Sequence, residues 1–235
     1  MLSHKLLMAS NETESGYSLS TFDKGWSGEG YFMAYTGSNY TFNFRYGQYG
    51  WLKSDGTQLW VAAESRSYPY NDRLYRLDMS TADDVSTLSQ NSLYTIDSTI
   101  FSNGYNGAVA WKPDGSKLFF AMSVSNTTDK VYQWPVSSAF NPSSSGFNPS
   151  LGTVSSYNLE SDTGSGEYGD TSSSGFRDPE GLFFKPDGTK MFVNDRAEDA
   201  IFEYSLSTEW DVTTASYNNK VSTTSVDNQM NHATW

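Results

Sequence analysis

Three times along the chain an Asp-Gly pair stands between two apolar, β-forming runs. The copies are Tyr49-Gly50-Trp51-Leu52-Lys53-Ser54-Asp55-Gly56-Thr57-Gln58-Leu59-Trp60-Val61, then 108–120 and 181–193. Asp-Gly in that setting is a strong short-range hairpin signal, because the turn needs a positive φ and glycine supplies it without strain. A polar loop and a further strand-like run follow each copy, at 73–77, 130–134 and 200–204. A recurring unit of this size constrains the fold more than any single segment does.

The two ends of the chain carry the pieces of a fourth copy. Lys5-Leu6-Leu7-Met8-Ala9 matches Lys117-Leu118-Phe119-Phe120-Ala121, and Tyr17-Ser18-Leu19-Ser20-Thr21-Phe22-Asp23 matches the run that starts at Tyr204. His232-Ala233-Thr234-Trp235 matches Ala108-Val109-Ala110-Trp111. Repeat starts at 49, 108, 181 and 232 are spaced by 59, 73 and 51 residues, and the four C-terminal residues with the 48 before Tyr49 supply 52 more. A linear solenoid would instead end in two polar capping repeats. A split repeat is how a closed propeller removes its open edge. The expected fold is therefore all-β, a four-bladed β-propeller filling one domain, 1–235. Its blades are 231–235 with 1–48, then 49–107, 108–180 and 181–230. The longest repeat holds a Ser/Gly/Asn/Pro-rich insertion at 137–176, read as an extended surface loop.

Composition agrees with β structure: 16 Tyr, 14 Phe and 7 Trp beside many Ser and Thr. No apolar stretch approaches the roughly 20 residues that span a bilayer, so no membrane insertion is expected. Residues 1–9 hold too short an apolar run for a signal peptide and read as a strand. A net charge of −12 argues against nucleic acid as a partner. The absence of Cys excludes disulfides, thiolate metal sites and Cys nucleophiles.

Few constellations point to chemistry. His4 and His232 flank the seam of the split repeat without a Gly-x-Ser-x-Gly elbow, and read as ordinary polar residues. Asp55, Asp114 and Asp187 are explained by turn chemistry. Two acidic clusters, Glu160/Asp162/Glu167/Asp170 and Asp195/Glu198/Asp199, offer the oxygen ligands Ca²⁺ requires but follow no calcium-loop pattern, so no cofactor is expected and Ca²⁺ is a weak signal. The sequons at Asn11, Asn39 and Asn126 read as chance matches. The residues just before the innermost strands would ring the mouth of the axial channel. They are Gln48, Gly107, Glu180 and Asn231, with Asn106 adjacent; convergent polar groups of this kind make a default ligand site. The alternation Tyr40-x-Phe42-x-Phe44-x-Tyr46 places four rings on one face of a strand. Tyr68 and Tyr70, around Pro69, offer rings in a loop for contact with a sugar or protein.

The unit from Gly181 through Lys185-Pro186-Asp187-Gly188-Thr189-Lys190 to Leu206-Ser207-Thr208-Glu209-Trp210-Asp211 resembles a propeller-type repeat. That repeat occurs in structural proteins of tailed phages, especially marine ones, and in some bacterial surface or secreted proteins. The resemblance is strongest over 181–217, weaker over 107–134 and 49–79, and faint at the termini. It implies a β-propeller displayed on a particle or cell, without a catalytic motif that transfers to this chain. The resulting expectation is a non-enzymatic virion component (tail fiber, tail or capsid-surface protein) on the exterior of the particle. It would be present in several copies and contact other virion subunits or a host surface glycan or protein through its loops. The alternatives are an extracellular or cell-surface adhesion propeller and, less favoured, a metal-assisted enzyme at the channel mouth.

Overall fold

The computed structural model describes residues 31–32, 35–36, 40–41, 44–45, 47–63, 73–95, 105–125, 128–142, 154–161, 179–195 and 198–222. Four two-residue strands come first. β1 (Tyr31–Phe32) pairs with β4 (Phe44–Arg45), and β2 (Tyr35–Thr36) with β3 (Tyr40–Thr41). Three four-stranded antiparallel sheets follow. The first is β5 (Gly47–Leu52), β6 (Gln58–Ala63), β7 (Arg73–Met79) and β8 (Leu88–Thr95). The second is β9 (Tyr105–Trp111), β10 (Lys117–Ser125), β11 (Thr128–Pro135) and β12 (Ser155–Asn158). The third is β13 (Pro179–Phe184), β14 (Lys190–Asp195), β15 (Ala200–Leu206) and β16 (Ala215–Ser222). Within each sheet the strands pair in chain order, and β9 lies between β5 and β13. The sheets thus fan out from a common line of innermost strands, as propeller blades do.

Each sheet starts from the same turn. Gly56, Gly115 and Gly188 donate their N–H to the carbonyls of Lys53, Lys112 and Lys185, all at 2.8 Å. This i to i+3 bond, with Pro113 or Pro186 second in the turn, is the type I arrangement. Only the glycines, at φ +68°, +74° and +74°, need the left-handed region. Ser54, which replaces proline in the first sheet, supports the same bonds. Asp55 and Asp114 accept from the backbone N–H two residues on, at 3.0 and 2.9 Å. Hydrogen bonds from Lys53 and then Thr57 hold the Asp55 carboxyl down at about 2. Asp114 is likewise lowered to about 2, burial opposing the bonds from Lys112 and Ser116.

The turn is then covered from its own sheet. After the third strand the chain folds back, and the N–H groups of Asp83, Phe140 and Trp210 donate to the carbonyls of Gly56, Gly115 and Gly188. These three residues all have positive φ, 60°, 53° and 59°. For a non-glycine residue that conformation costs on the order of 1–3 kcal/mol, so it persists where surrounding contacts enforce it. Here the side chain must lie over the turn glycine. The Leu-Ser-Thr-x-Trp-Asp run is legible on that basis: Trp210 covers the turn, and Asp211 accepts from the N–H of Thr213 at 3.0 Å to start a 3-10 turn.

Packing between sheets repeats as well. Trp60 of β6 meets Trp111 of β9 with ring centroids 4.8 Å apart; at the equivalent places Phe119 of β10 meets Phe184 of β13 at 4.5 Å. Phe119 and Trp60 are fully buried. Gln133 adds a polar latch, its amide donating to Asp211 Oδ1 at 2.9 Å and accepting from Val212 N–H at 3.0 Å. It is buried, and it ties β11 to the capping turn of the next sheet.

Three local expectations change. The insertion at 137–176 is not all loop: Ser155–Asn158 forms β12 along Lys130–Gln133, its polar residues suiting a half-buried outer strand. The polar stretch from Asn194 is strand for two more residues, because Asn194 and Asp195 pair with Ile201 and Ala200. Of the Tyr40–Tyr46 alternation, Tyr40 lies in β3 and Phe44 in β4, which belong to different sheets, and Phe42 and Tyr46 lie outside the described residues. Residues 1–9, 17–23 and 232–235, on which the reading of a split repeat rests, lie outside the described residues.

Candidate functional site

The ends of β5, β9 and β13 away from the Asp-Gly turn share one irregularity. On β5, Gly47 pairs with Ala63 and Tyr49 with Ala62, leaving Gln48 as a surplus residue. On β9, Asn106 pairs with Met122 and Ala108 with Ala121, so the surplus residue is Gly107. On β13, Pro179 pairs with Asp195 and Gly181 with Asn194, and the surplus residue is Glu180. Each is a β-bulge. Such an insertion bends the strand and re-aims a side chain, and bulges are over-represented beside active sites. The sequence alignment placed Gln48, Gly107 and Glu180 at one level, and the register places all three in the same kind of bulge.

The three bulges differ in chemistry. Gly107 contributes no side chain, and Glu180 is a carboxylic acid only 4% exposed. A carboxyl group that deep needs interacting neighbours, and Glu180 is not without a partner. Opposite its chain neighbours Gly181 and Pro179 stand two residues of β14 that sequence reasoning had left in a loop, Asn194 and Asp195, both fully buried. Asp195 Oδ1 accepts from the N–H of Glu198 at 2.9 Å, closing the turn between β14 and β15. Aligning the repeats by the turn glycine would have exposed Asn194, since it stands where the other two sheets have Ala62 and Ala121.

Of the other sequence candidates, Asn106 lies in β9 beside its bulge. Asn231, Tyr68, Tyr70, His4 and His232, the three sequon asparagines, and Asp162, Glu167 and Asp170 lie outside the described residues. The acidic cluster after β14 is dispersed into separate contacts: Glu198 pairs with Lys220 at 2.8 Å while Asp195 holds the turn. Glu160 accepts from the N–H of Asp129 at 3.1 Å, and burial raises its carboxyl pKa. Among the described residues no group of three or more His, Cys, Asp or Glu is placed to hold a metal ion. Among the same residues no helix is long and apolar enough to cross a membrane.

No family model matches the chain, and no curated protein does. Among solved structures, the chain is similar to the periplasmic gluconolactonase PpgL of Pseudomonas aeruginosa, with 16% identity and a TM-score of 0.45, covering 77% of this chain and 44% of that one. A putative 6-phosphogluconolactonase of Bacteroides fragilis matches at 13% identity and 0.42, over 80% of this chain and 43% of that one. The β-propeller domain of Myceliophteria thermophila Cps50 (Swd1) matches at 12% and 0.40, over 78% and 48%. The chain thus spans about half the length of these structures. The matches correct one expectation. Proteins named as lactonases stand among the similar structures, so the account of this chain as a non-enzymatic virion component is given up. Which reaction a propeller carries depends on its site and not on its fold.

Proposed function

We propose that the chain hydrolyses small, neutral, activated cyclic esters, with sugar lactones as the class, at the end of the axis where the three bulges lie. The observation that carries this is Glu180, a carboxylic acid 4% exposed and set in the bulge of an innermost strand. A lactone carbonyl is reactive enough that one proton transfer serves, which fits a site with a single acid at its bulge. Glu180 takes a proton from water as the water oxygen adds to the carbonyl carbon. The tetrahedral intermediate then collapses by breaking the ring C–O bond, and the ring oxygen recovers the proton, leaving an open hydroxy acid. The net charge of −12 favours a neutral substrate and speeds departure of the anionic product. General base catalysis contributes roughly 10²–10⁴-fold. Acid release from glucono-δ-lactone should therefore fall about a hundredfold in Glu180→Gln, on the low side of that range. Undiminished hydrolysis by the variant refutes the proposal.

For the fold we propose closure into a four-bladed ring, with 1–48 and 231–235 sharing the fourth sheet. Phe192 occupies the place of Trp60 and Phe119, and is stacked on Phe183 at 4.9 Å. Trp235 aligns with Trp111 and Phe184, the residues those two meet. A double-mutant cycle on Phe192→Ala and Trp235→Ala should give a coupling of about 0.5–1.5 kcal/mol, as aromatic pairs do. Additivity within error excludes the contact.

A further inference from the structure

Asp-Gly is also a dipeptide that rearranges. The glycine nitrogen attacks the aspartate Cγ, water leaves, and the five-membered succinimide then takes up water again. Ring opening returns aspartate or gives isoaspartate, in which the main chain runs through the side chain. The closed turns oppose the attack. Gly56, Gly115 and Gly188 have their N–H engaged by a lysine carbonyl at 2.8 Å. The Oδ1 atoms of Asp55, Asp114 and Asp187 accept from the N–H of Thr57, Ser116 and Thr189 at 3.0, 2.9 and 3.0 Å, and from their hydroxyls at 2.6 Å. The reaction therefore needs the turn to open. The three carboxylates are exposed alike, at 48%, 54% and 46%, so access of water does not separate them. Their lids do. Phe140 lies over Gly115 and packs on Trp51 and Trp111 at 5.9 and 5.3 Å. Trp210 lies over Gly188 and packs on Phe184 and Phe119 at 5.3 and 6.3 Å. Both lids are buried. The lid of Gly56 is the carboxylate of Asp83, an exposed residue.

We propose that Asp55 is a modification site, forming isoaspartate in the folded protein while Asp114 and Asp187 are protected by their aromatic lids. Local opening draws on the contacts of the segment that moves, and a segment with few buried apolar contacts opens at lower cost. Two aromatic contacts on each sister lid correspond to about tenfold or more in the opening equilibrium. The step needs water alone, which leaves and returns, so the mass of the chain is unchanged. In heavy-oxygen water each passage through the succinimide leaves a labelled oxygen on residue 55. The product has a main chain longer by a methylene between Lys53 and Gly56, which alters the turn joining β5 to β6.

The test uses the full chain, incubated in mildly acidic heavy-oxygen water with and without denaturing urea. Peptide mapping then reads label and isoaspartate at each of the three sites. In urea the lids are gone, so each site supplies its own reference rate and differences in local sequence cancel. The ratio of folded to unfolded rate should be about tenfold or more higher at Asp55 than at Asp114 or Asp187. Equal ratios at the three sites, a higher ratio at either of the others, or no label at Asp55 in the folded protein overturns the proposal. A variant separates the lid from the other difference between the turns, Ser54 in place of Pro113 and Pro186. Ser54→Pro installs the residue that the sister turns already hold, so the fold is expected to tolerate it. It should leave the ratio at Asp55 unchanged within about twofold, well inside the tenfold effect assigned to the lids. A fall to the level of Asp114 and Asp187 would assign the protection to proline and overturn the role given to the lids.

Discussion

Replacing Gly188 by alanine should destabilise the protein by about 2–5 kcal/mol. Two costs act together. A left-handed conformation at φ +74° is unfavourable for any residue with a Cβ, by roughly 1–2 kcal/mol. The added Cβ would also fall inside contact distance of the Trp210 indole, and forcing atoms into a filled space adds typically about 1–3 kcal/mol. Trp210 cannot retreat easily, because its ring packs at a tilt against Phe184 at 5.3 Å and its backbone N–H donates to the Gly188 carbonyl. The sister turns rank the effect. At Gly115 a Cβ would meet ring atoms of Phe140 at 2.5 and 2.6 Å and its backbone nitrogen at 2.7 Å, so Gly115→Ala should cost as much. At Gly56 the obstacle is the Asp83 carboxylate, which can swing out, leaving mainly the roughly 1–2 kcal/mol backbone term. Urea denaturation with an unchanged m-value measures all three. Equal costs at 56 and 188 would show that the aromatic lid contributes nothing.

Truncating Phe119 to alanine should cost about 3–5 kcal/mol, the range for a large ring removed from a filled core. The ring is fully buried between the second and third sheets, 4.5 Å from Phe184 and 6.3 Å from Trp210. Its removal opens a cavity against a neighbouring sheet that is fixed elsewhere by Gln133 and by Lys117, whose Nζ donates to the Trp210 carbonyl at 2.8 Å. Collapse around the gap is thus restricted, which places the cost high in the range. A shift in the urea midpoint equivalent to less than 1 kcal/mol would mean that the two sheets do not depend on this contact.

The hairpins were readable because the turn is local: Asp-Gly, the flanking apolar runs and the proline all act within a few residues. The level of the bulges was also readable, as an alignment of Gln48, Gly107 and Glu180, although not that they were bulges. A surplus residue leaves no mark in a single strand and becomes visible only against its partner. The left-handed Trp210 was hidden for a similar reason, since contact with the turn glycine fixes it and local preference opposes it. Asn194 was misread outright. Polar residues after an apolar run resemble the start of a loop, and burial opposite the bulge reverses that rule. In the second sheet a short, polar strand of four residues, β12, escaped notice inside a Ser-rich insertion, because an outer strand needs little apolar surface.

A bulged residue takes no place in the ladder of backbone pairs. Exchange at Gln48, Gly107 or Glu180 therefore leaves the register of the flanking strands untouched. The molecule keeps three independent variables at one end of an invariant frame. Randomising those three codons together would vary one end of the sheets while the hairpin locks and the aromatic contacts between sheets continue to fold the chain. Selection acting on a repeat protein of this kind could vary these three positions by single steps while the strand register stays fixed.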